Sequence, residues 1–183
     1  MDSDFSEMMN QLSENARFAL QKADLFSKKY NNGYMGTEHI LLGILSQDAS
    51  TGARILASNG VTLDKAEKAL DQEAAEVNGN SAMAMMSLSE AAVLTIRMAS
   101  HYAMEKGVKV IGTEYLLYAL ICQTNSRGAM LLIKMGVELD DVMDALDAEM
   151  AQQVEREQNQ KLKKDYKRKP LKWLKRFGTD LTD

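Results

Sequence analysis

The chain has 183 residues, a net charge of −4, one proline, one cysteine and thirteen methionines, with 45% hydrophobic and only 6% aromatic residues. That length supports one good core, and the profile favours helices over a sheet. The charge is unevenly placed: residues 161–183 carry nine Lys/Arg against three Asp, which leaves −10 for residues 1–160, and an acidic body of that kind is not a nucleic-acid reader.

Taken in chain order, the N-terminus Met1-Asp2-Ser3-Asp4 is acidic and polar, unlike a signal peptide. Residues 1–11 form a leading segment. A first helix begins near Ser13, with Ala16, Ala19, Leu20, Ala23 and Phe26 on one face at helical spacing, and Asn31-Asn32-Gly33 ends it. Thr37 reads as the N-cap of a second helix, its hydroxyl accepting from a spare backbone N–H, with Glu38 in the first turn at the positive end of the dipole. Ser50 or Thr51 caps a short third helix closed by Asn59-Gly60, and Thr62 precedes a fourth. The stretches 32–36 and 107–112 are the best strand candidates and are too short to build a sheet.

The plan then repeats. Residues 12–75 align without a gap on 88–151 at an offset of 76, with roughly a third of the pairs identical. Leu12-Ser13-Glu14 recurs as Leu88-Ser89-Glu90, Gly36-Thr37-Glu38 as Gly112-Thr113-Glu114, and Gly60-Val61-x-Leu63-Asp64 as Gly136-Val137-x-Leu139-Asp140. The expected architecture is all-α: eight helices in two pseudo-symmetric four-helix repeats, 12–77 and 88–151, packed on each other as one globular domain. A linker at 78–87 contains Met83, Met85 and Met86 and offers either a soft docking surface or gap-filling side chains. The last helix has no breaker before about Gln160, and 152–183 is a helical extension running into a basic, amphipathic tail with Leu171, Trp173, Leu174 and Phe177.

Catalysis and metal binding find little support. There is no G-x-x-x-x-G-K-[ST] loop, no H-E-x-x-H and no G-x-S-x-G. His39 and His101 lack the companions of a metal site, and Cys122 reads as a small core residue. One thiol fits a reducing cytoplasm, and no apolar run approaches the ~18–20 residues that span a bilayer. No membrane or nucleic-acid partner is expected.

The octet Gly36-Thr37-Glu38-His39-Ile40-Leu41-Leu42-Gly43, its weaker copy Gly112-Thr113-Glu114-Tyr115-Leu116-Leu117-Tyr118-Ala119, and the Gly-Val-x-Leu-Asp element together resemble the N-terminal double-repeat domain of Clp/Hsp100 AAA+ chaperones, ClpC-type above ClpA or ClpB. Phe177-Gly178-Thr179-Asp180-Leu181-Thr182 resembles the segment leading into the first ATPase module of these proteins. The resemblance implies a monomeric, non-catalytic receptor for substrate proteins and MecA-like adaptors, serving an ATPase ring and a Clp peptidase, with ATP and Mg belonging to the parent protein and no cofactor in this chain. It also implies phosphoarginine binding, with Glu38 and Glu114 holding the guanidinium and the helix starts Ser13 and Ser89 holding the phosphate, assisted by Arg17 in the first copy. A planar cation suits paired carboxylate hydrogen bonds, and a helix start suits an anion. On that expectation each repeat holds a complete site of its own. Two plainer readings stand beside it: both glutamates and both serines as helix-end stabilisers, and the whole chain as a structural regulator of ring assembly with no ligand pocket.

Overall fold

The computed structural model describes residues 3–30, 33–76 and 87–168. The Met-rich linker and the basic tail from residue 169 lie outside them, as do Asn31 and Asn32. Among the described residues there are nine helices: α1 (Ser3–Asn10), α2 (Glu14–Lys29), α3 (Thr37–Leu45), α4 (Thr51–Ser58), α5 (Leu63–Glu76), α6 (Glu90–Glu105), α7 (Thr113–Cys122), α8 (Arg127–Lys134) and α9 (Leu139–Arg168). The fold is all-helical as expected, with one helix more than the eight expected. The extra one is α1, which precedes the first repeat. Residues up to Asp147 form one compact unit. Residues 148–168 continue α9 as a mostly exposed helix, with Arg156 tied to Gln152 at 3.1 Å and to Glu149 at 3.7 Å.

Serine hydroxyls open four helices as the sequence predicts. Ser13 accepts from the Ala16 N–H at 3.1 Å, Ser50 from Ala53 at 3.3 Å, Ser89 from Ala92 at 3.0 Å and Ser126 from Ala129 at 3.2 Å. Three helices stop at Gly60, Gly107 and Gly136, all at positive φ, where a side chain would be strained. On α2 the buried face is Ala16, Ala19, Leu20, Ala23 and Ser27. Ser27 is tolerated there because its hydroxyl donates to the Asp24 carbonyl at 2.7 Å, while Phe26 is only half-buried.

The second helix of each copy is almost wholly enclosed. All nine residues of α3 are buried, and so are Thr113–Leu117 and Ala119–Ile121 of α7, which is the signature of a helix enclosed by others. Helix α3 packs on α2 of its own copy and on α8 of the other; α7 packs on α6 and, across the copies, on α4. A Cβ on Gly43 would run into the Ala19 carbonyl oxygen, so glycine sets the close approach of α3 to α2. The second copy has Ala119 there.

Short parallel pairings stitch the copies together. β1 (Tyr34–Met35) pairs with β2 (Ser87–Leu88), and an isolated bridge joins Leu12 to Ile111. One side of each pairing, Tyr34–Met35 and Ile111, lies in an expected stretch, the partners Ser87–Leu88 and Leu12 do not, and neither pairing extends beyond two residues. They are extended by matching cross-copy bonds: the Ser89 N–H donates to the Met35 carbonyl at 3.0 Å, and the Ser13 N–H to the Ile111 carbonyl at 2.8 Å.

The motif threonines correct the sequence reading. Gly36 and Gly112, not Thr37 and Thr113, occupy the N-cap positions of α3 and α7. Each threonine hydroxyl still takes a spare helix-start N–H, but from the opposite copy: the Gly128 N–H donates to Thr37 Oγ1 and the Gly52 N–H to Thr113 Oγ1, both at 2.9 Å. Both donors sit one residue inside a serine-capped helix, where no intrahelical acceptor exists. Space at both glycines is closed: a Cβ at Gly128 would lie 2.8 Å from the Thr37 carbonyl oxygen, and one at Gly52 3.0 Å from Thr113 Oγ1. Replacing Thr37 or Thr113 by valine keeps the shape and strands a buried N–H, which costs about 1–3 kcal/mol per site. Urea denaturation should show that loss for each variant separately; a loss under about 0.5 kcal/mol at either site would mean the exchange does not hold the copies together.

Candidate functional site

Glu38 and Glu114 are 1% and 5% exposed. The motif glycine explains their pose. Gly36 has an extended backbone open to any residue, yet a Cβ there would sit 2.6 Å from Glu38 Oε1. A Cβ on Gly112 would likewise collide with the Glu114 carboxylate. Each carboxylate therefore folds back over its own glycine, and the glycine is needed for space rather than for φ.

Burial holds the Glu38 carboxyl above the usual carboxylate range, opposed by its own backbone N–H and by the Arg127 guanidinium. Oε1 of Glu38 has no hydrogen-bond partner. His39 Nδ1 lies 3.6 Å from that oxygen, but the imidazole is neutral: Nδ1 accepts from the Gly36 N–H at 2.9 Å, and burial, reinforced by Arg127, pushes the ring's pKa down to about 4. This is a capping box built with histidine in place of the usual glutamate or glutamine. Tyr34 sits edge-on to the His39 ring with centroids 6.2 Å apart.

The serine caps pair with the glutamates crosswise. The short connection from α2 turns the chain back so that α3 runs antiparallel to it, with Gly43 against Ala19. Ser13, at the far end of α2, is thus carried away from Glu38, and its N–H is bonded to Ile111, just ahead of Gly112-Thr113-Glu114. Ser89 is bonded to Met35, just ahead of Gly36-Thr37-Glu38. The start of α6 thus lies beside the Gly36-Thr37-Glu38 motif, and the start of α2 beside Gly112-Thr113-Glu114. Arg17 is engaged elsewhere, its Nη2 donating to the Asn10 carbonyl at 3.1 Å. It lines a cavity of about 540 Å³ with Phe5, Met9, Leu20, Met35 and Ile96 among the other walls.

Sequence reasoning missed Arg127, the first residue of α8. Its Nη1 donates to Tyr34 Oη at 2.8 Å, and its Nη2 lies 3.8 Å from Glu73 Oε2, while Lys134 lies 3.7 Å from Oε1 of the same carboxylate. Burial alone would lower the guanidinium pKa; Glu38, Tyr34 and Glu73 together outweigh it. The available signal was a break in the repeat: Arg127, Tyr34 and Lys134 stand where the other copy has Thr51, Val110 and Ser58. Cys122 is half-buried, accepts from the Tyr102 hydroxyl at 3.9 Å, and burial raises its pKa, the opposite of an activated thiolate. His101 lies 3.2 Å from Glu105 on an exposed face. No helix among the described residues is long and apolar enough to cross a membrane.

A helical double repeat with a buried Gly-Thr-Glu motif in each copy defines the class, and comparison with known proteins supplies the family. The Clp_N family, the Clp repeat (R) N-terminal domain, matches residues 11–95 and 87–169, and the chain belongs to it. An ATP-dependent Clp protease ATP-binding subunit ClpA homolog of Trieres chinensis is 29% identical over 132 residues, 72% of this chain and 15% of that protein. The negative regulator of genetic competence ClpC/MecB of Bacillus subtilis is 26% identical over 133 residues, 73% of this chain and 16% of that protein. The chain thus spans about a sixth of the length of these relatives. The solved N-terminal domain of the chaperone ClpD from Arabidopsis thaliana has the same fold, with a TM-score of 0.65 at 20% identity over 77% of this chain and 98% of that one.

The His39 environment generates a pH dependence. A ring whose folded pKa lies near 4, below its unfolded value near 6.5, binds more protons unfolded, so stability falls as pH falls between those values. Glu38, with a raised folded pKa, works the other way and offsets part of the loss. His39→Gln keeps a capping-box acceptor and removes the titration. Urea midpoints at pH 7 and pH 4.5 should show an acid loss in the native chain that is about 2–3 kcal/mol larger than in the variant. Equal losses would contradict a neutral buried His39.

Proposed function

We propose that this chain is the receptor module of a ClpC-type unfoldase, binding substrate proteins and adaptors (MecA-like ones among them) on behalf of an ATPase ring that feeds a Clp peptidase, and that it recognises phosphoarginine as a mark on substrates. The observation that carries the ligand assignment is the pair of buried carboxylates, each folded over a motif glycine next to a serine-capped helix start contributed by the other copy. A guanidinium needs an anion with lone pairs to spare, which Glu38 Oε1 has. The attached phosphate needs N–H donors and a positive dipole end, which the start of a helix supplies. On this reading Glu38 works with Ser89, and Glu114 with Ser13.

Calorimetric titration of the whole chain with free phosphoarginine tests it. Each charge-assisted hydrogen bond is worth about 1.5–3 kcal/mol, so Glu38→Ala and Glu114→Ala should each weaken one site by tenfold or more. Ser89→Ala should weaken the site that Glu38→Ala removes, and Ser13→Ala the site that Glu114→Ala removes. Absence of binding to the folded chain would overturn phosphoarginine as the ligand and leave adaptor docking as the function.

A further inference from the structure

Arg127 gives the Glu38 site a charge pattern that the other copy does not repeat. Its position is set by backbone packing: the next residue, Gly128, donates to Thr37 Oγ1 at 2.9 Å, and a Cβ at Gly128 would lie 2.8 Å from the Thr37 carbonyl oxygen. The start of α8 is thereby pressed against the start of α3, and the Arg127 side chain reaches over Tyr34 towards Glu73. Glu38 and Arg127 feel each other electrostatically without forming an ion pair, so neither group saturates the other. Glu38 Oε1 keeps an unpaired acceptor at 1% exposure, while the Arg127 side chain is 51% exposed and spends only two of its nitrogens on Tyr34 and Glu73. A buried anion and a half-exposed cation, close but not joined, match a ligand that itself carries a cation next to an anion.

We propose that Arg127 sets the selectivity of the Glu38 site, admitting a guanidinium that carries a phosphate and turning away one that does not. The inference rests on the reading of Glu38 as a guanidinium acceptor. Unmodified arginine brings a second cation beside Arg127, and like charges at close range disfavour it. Phosphoarginine brings the same guanidinium to Glu38 and places an anion where Arg127 can bond it, a pairing for which arginine's planar fork is suited. Removal of Arg127 leaves Lys134 on Glu73 and no cation facing Glu38, which then favours plain cations. The corresponding residue in the first copy, Thr51, carries no charge, so this discrimination belongs to one side of the molecule.

The test uses the whole chain and its Arg127→Gln variant, titrated separately with free phosphoarginine and free arginine and followed through the backbone amide signals of Gly36 to His39, which report this site alone. The native chain should favour phosphoarginine. Arg127→Gln should weaken phosphoarginine tenfold or more and strengthen arginine, and Glu38→Ala in the variant should abolish the gained arginine binding. Arg127→Lys, which keeps the charge, should retain much of the preference. Phosphoarginine binding with an unchanged preference in Arg127→Gln would sink the role of Arg127 and leave the proposed ligand standing. Arginine binding gained in the variant, with no phosphoarginine binding to the native chain, would sink the ligand and uphold the charge discrimination. Neither ligand binding to either protein would sink both.

Discussion

Everything else in the helical body depends on a reciprocal exchange of hydrogen bonds at its centre. Two threonine hydroxyls, each at the start of a largely buried helix, satisfy the orphan amides at the starts of helices from the opposite copy. An unpaired buried N–H is expensive, and the helix starts around Gly52 and Gly128 are buried. Each copy therefore lacks one acceptor that only the other supplies. The same contact positions α8 against α3, which brings Arg127 within electrostatic reach of Glu38, and it accompanies the short strand pairings that set Ser13 and Ser89 beside the opposite motif. Stability and site geometry share this one device.

The motif Gly-Thr-Glu-His is compact for the same reason. Within four residues it provides a space-saving glycine, a hydroxyl for the neighbouring copy, a carboxylate folded back on that glycine and, in the first copy, an imidazole that closes the cap. A polar cluster of this kind in a core must be nearly fully bonded to be tolerated. The oxygen left over, Glu38 Oε1, is what makes the cluster a candidate site rather than a structural plug.

Much of this was legible in the sequence because it is written twice. The offset of 76 residues, the helical periods, the serine caps and the stopping glycines all carried through to the structure. What stayed hidden were relations between the copies. A threonine before a helical run looks like the cap of that run, and nothing local says that its hydroxyl serves a helix some ninety residues away. That the start of α6 at Ser89, rather than the start of α2 at Ser13, lies beside the Gly36-Thr37-Glu38 motif follows from the antiparallel return of α3 along α2, a tertiary fact. Helix α1 lies ahead of the aligned repeat, and α9 runs through Arg168, past the end near Gln160 expected for it. Arg127 was visible only as a mismatch between the copies, where attention to similarity passes over it.

The glycine at position 43 and the alanine at 119 carry a different consequence. Contact as close as that of α3 with α2 needs a residue without a Cβ, and a core packed to crystal-like density cannot absorb an added methyl without moving a helix. The second copy has Ala119 at that position, and its corresponding helices meet through the edge-to-face pair Tyr102 and Tyr118, 4.9 Å apart. The copies are therefore no longer interchangeable parts. An alanine at position 43 would force α3 away from α2, whereas the second copy already carries that methyl at Ala119, so the same exchange has a cost in one half and none in the other.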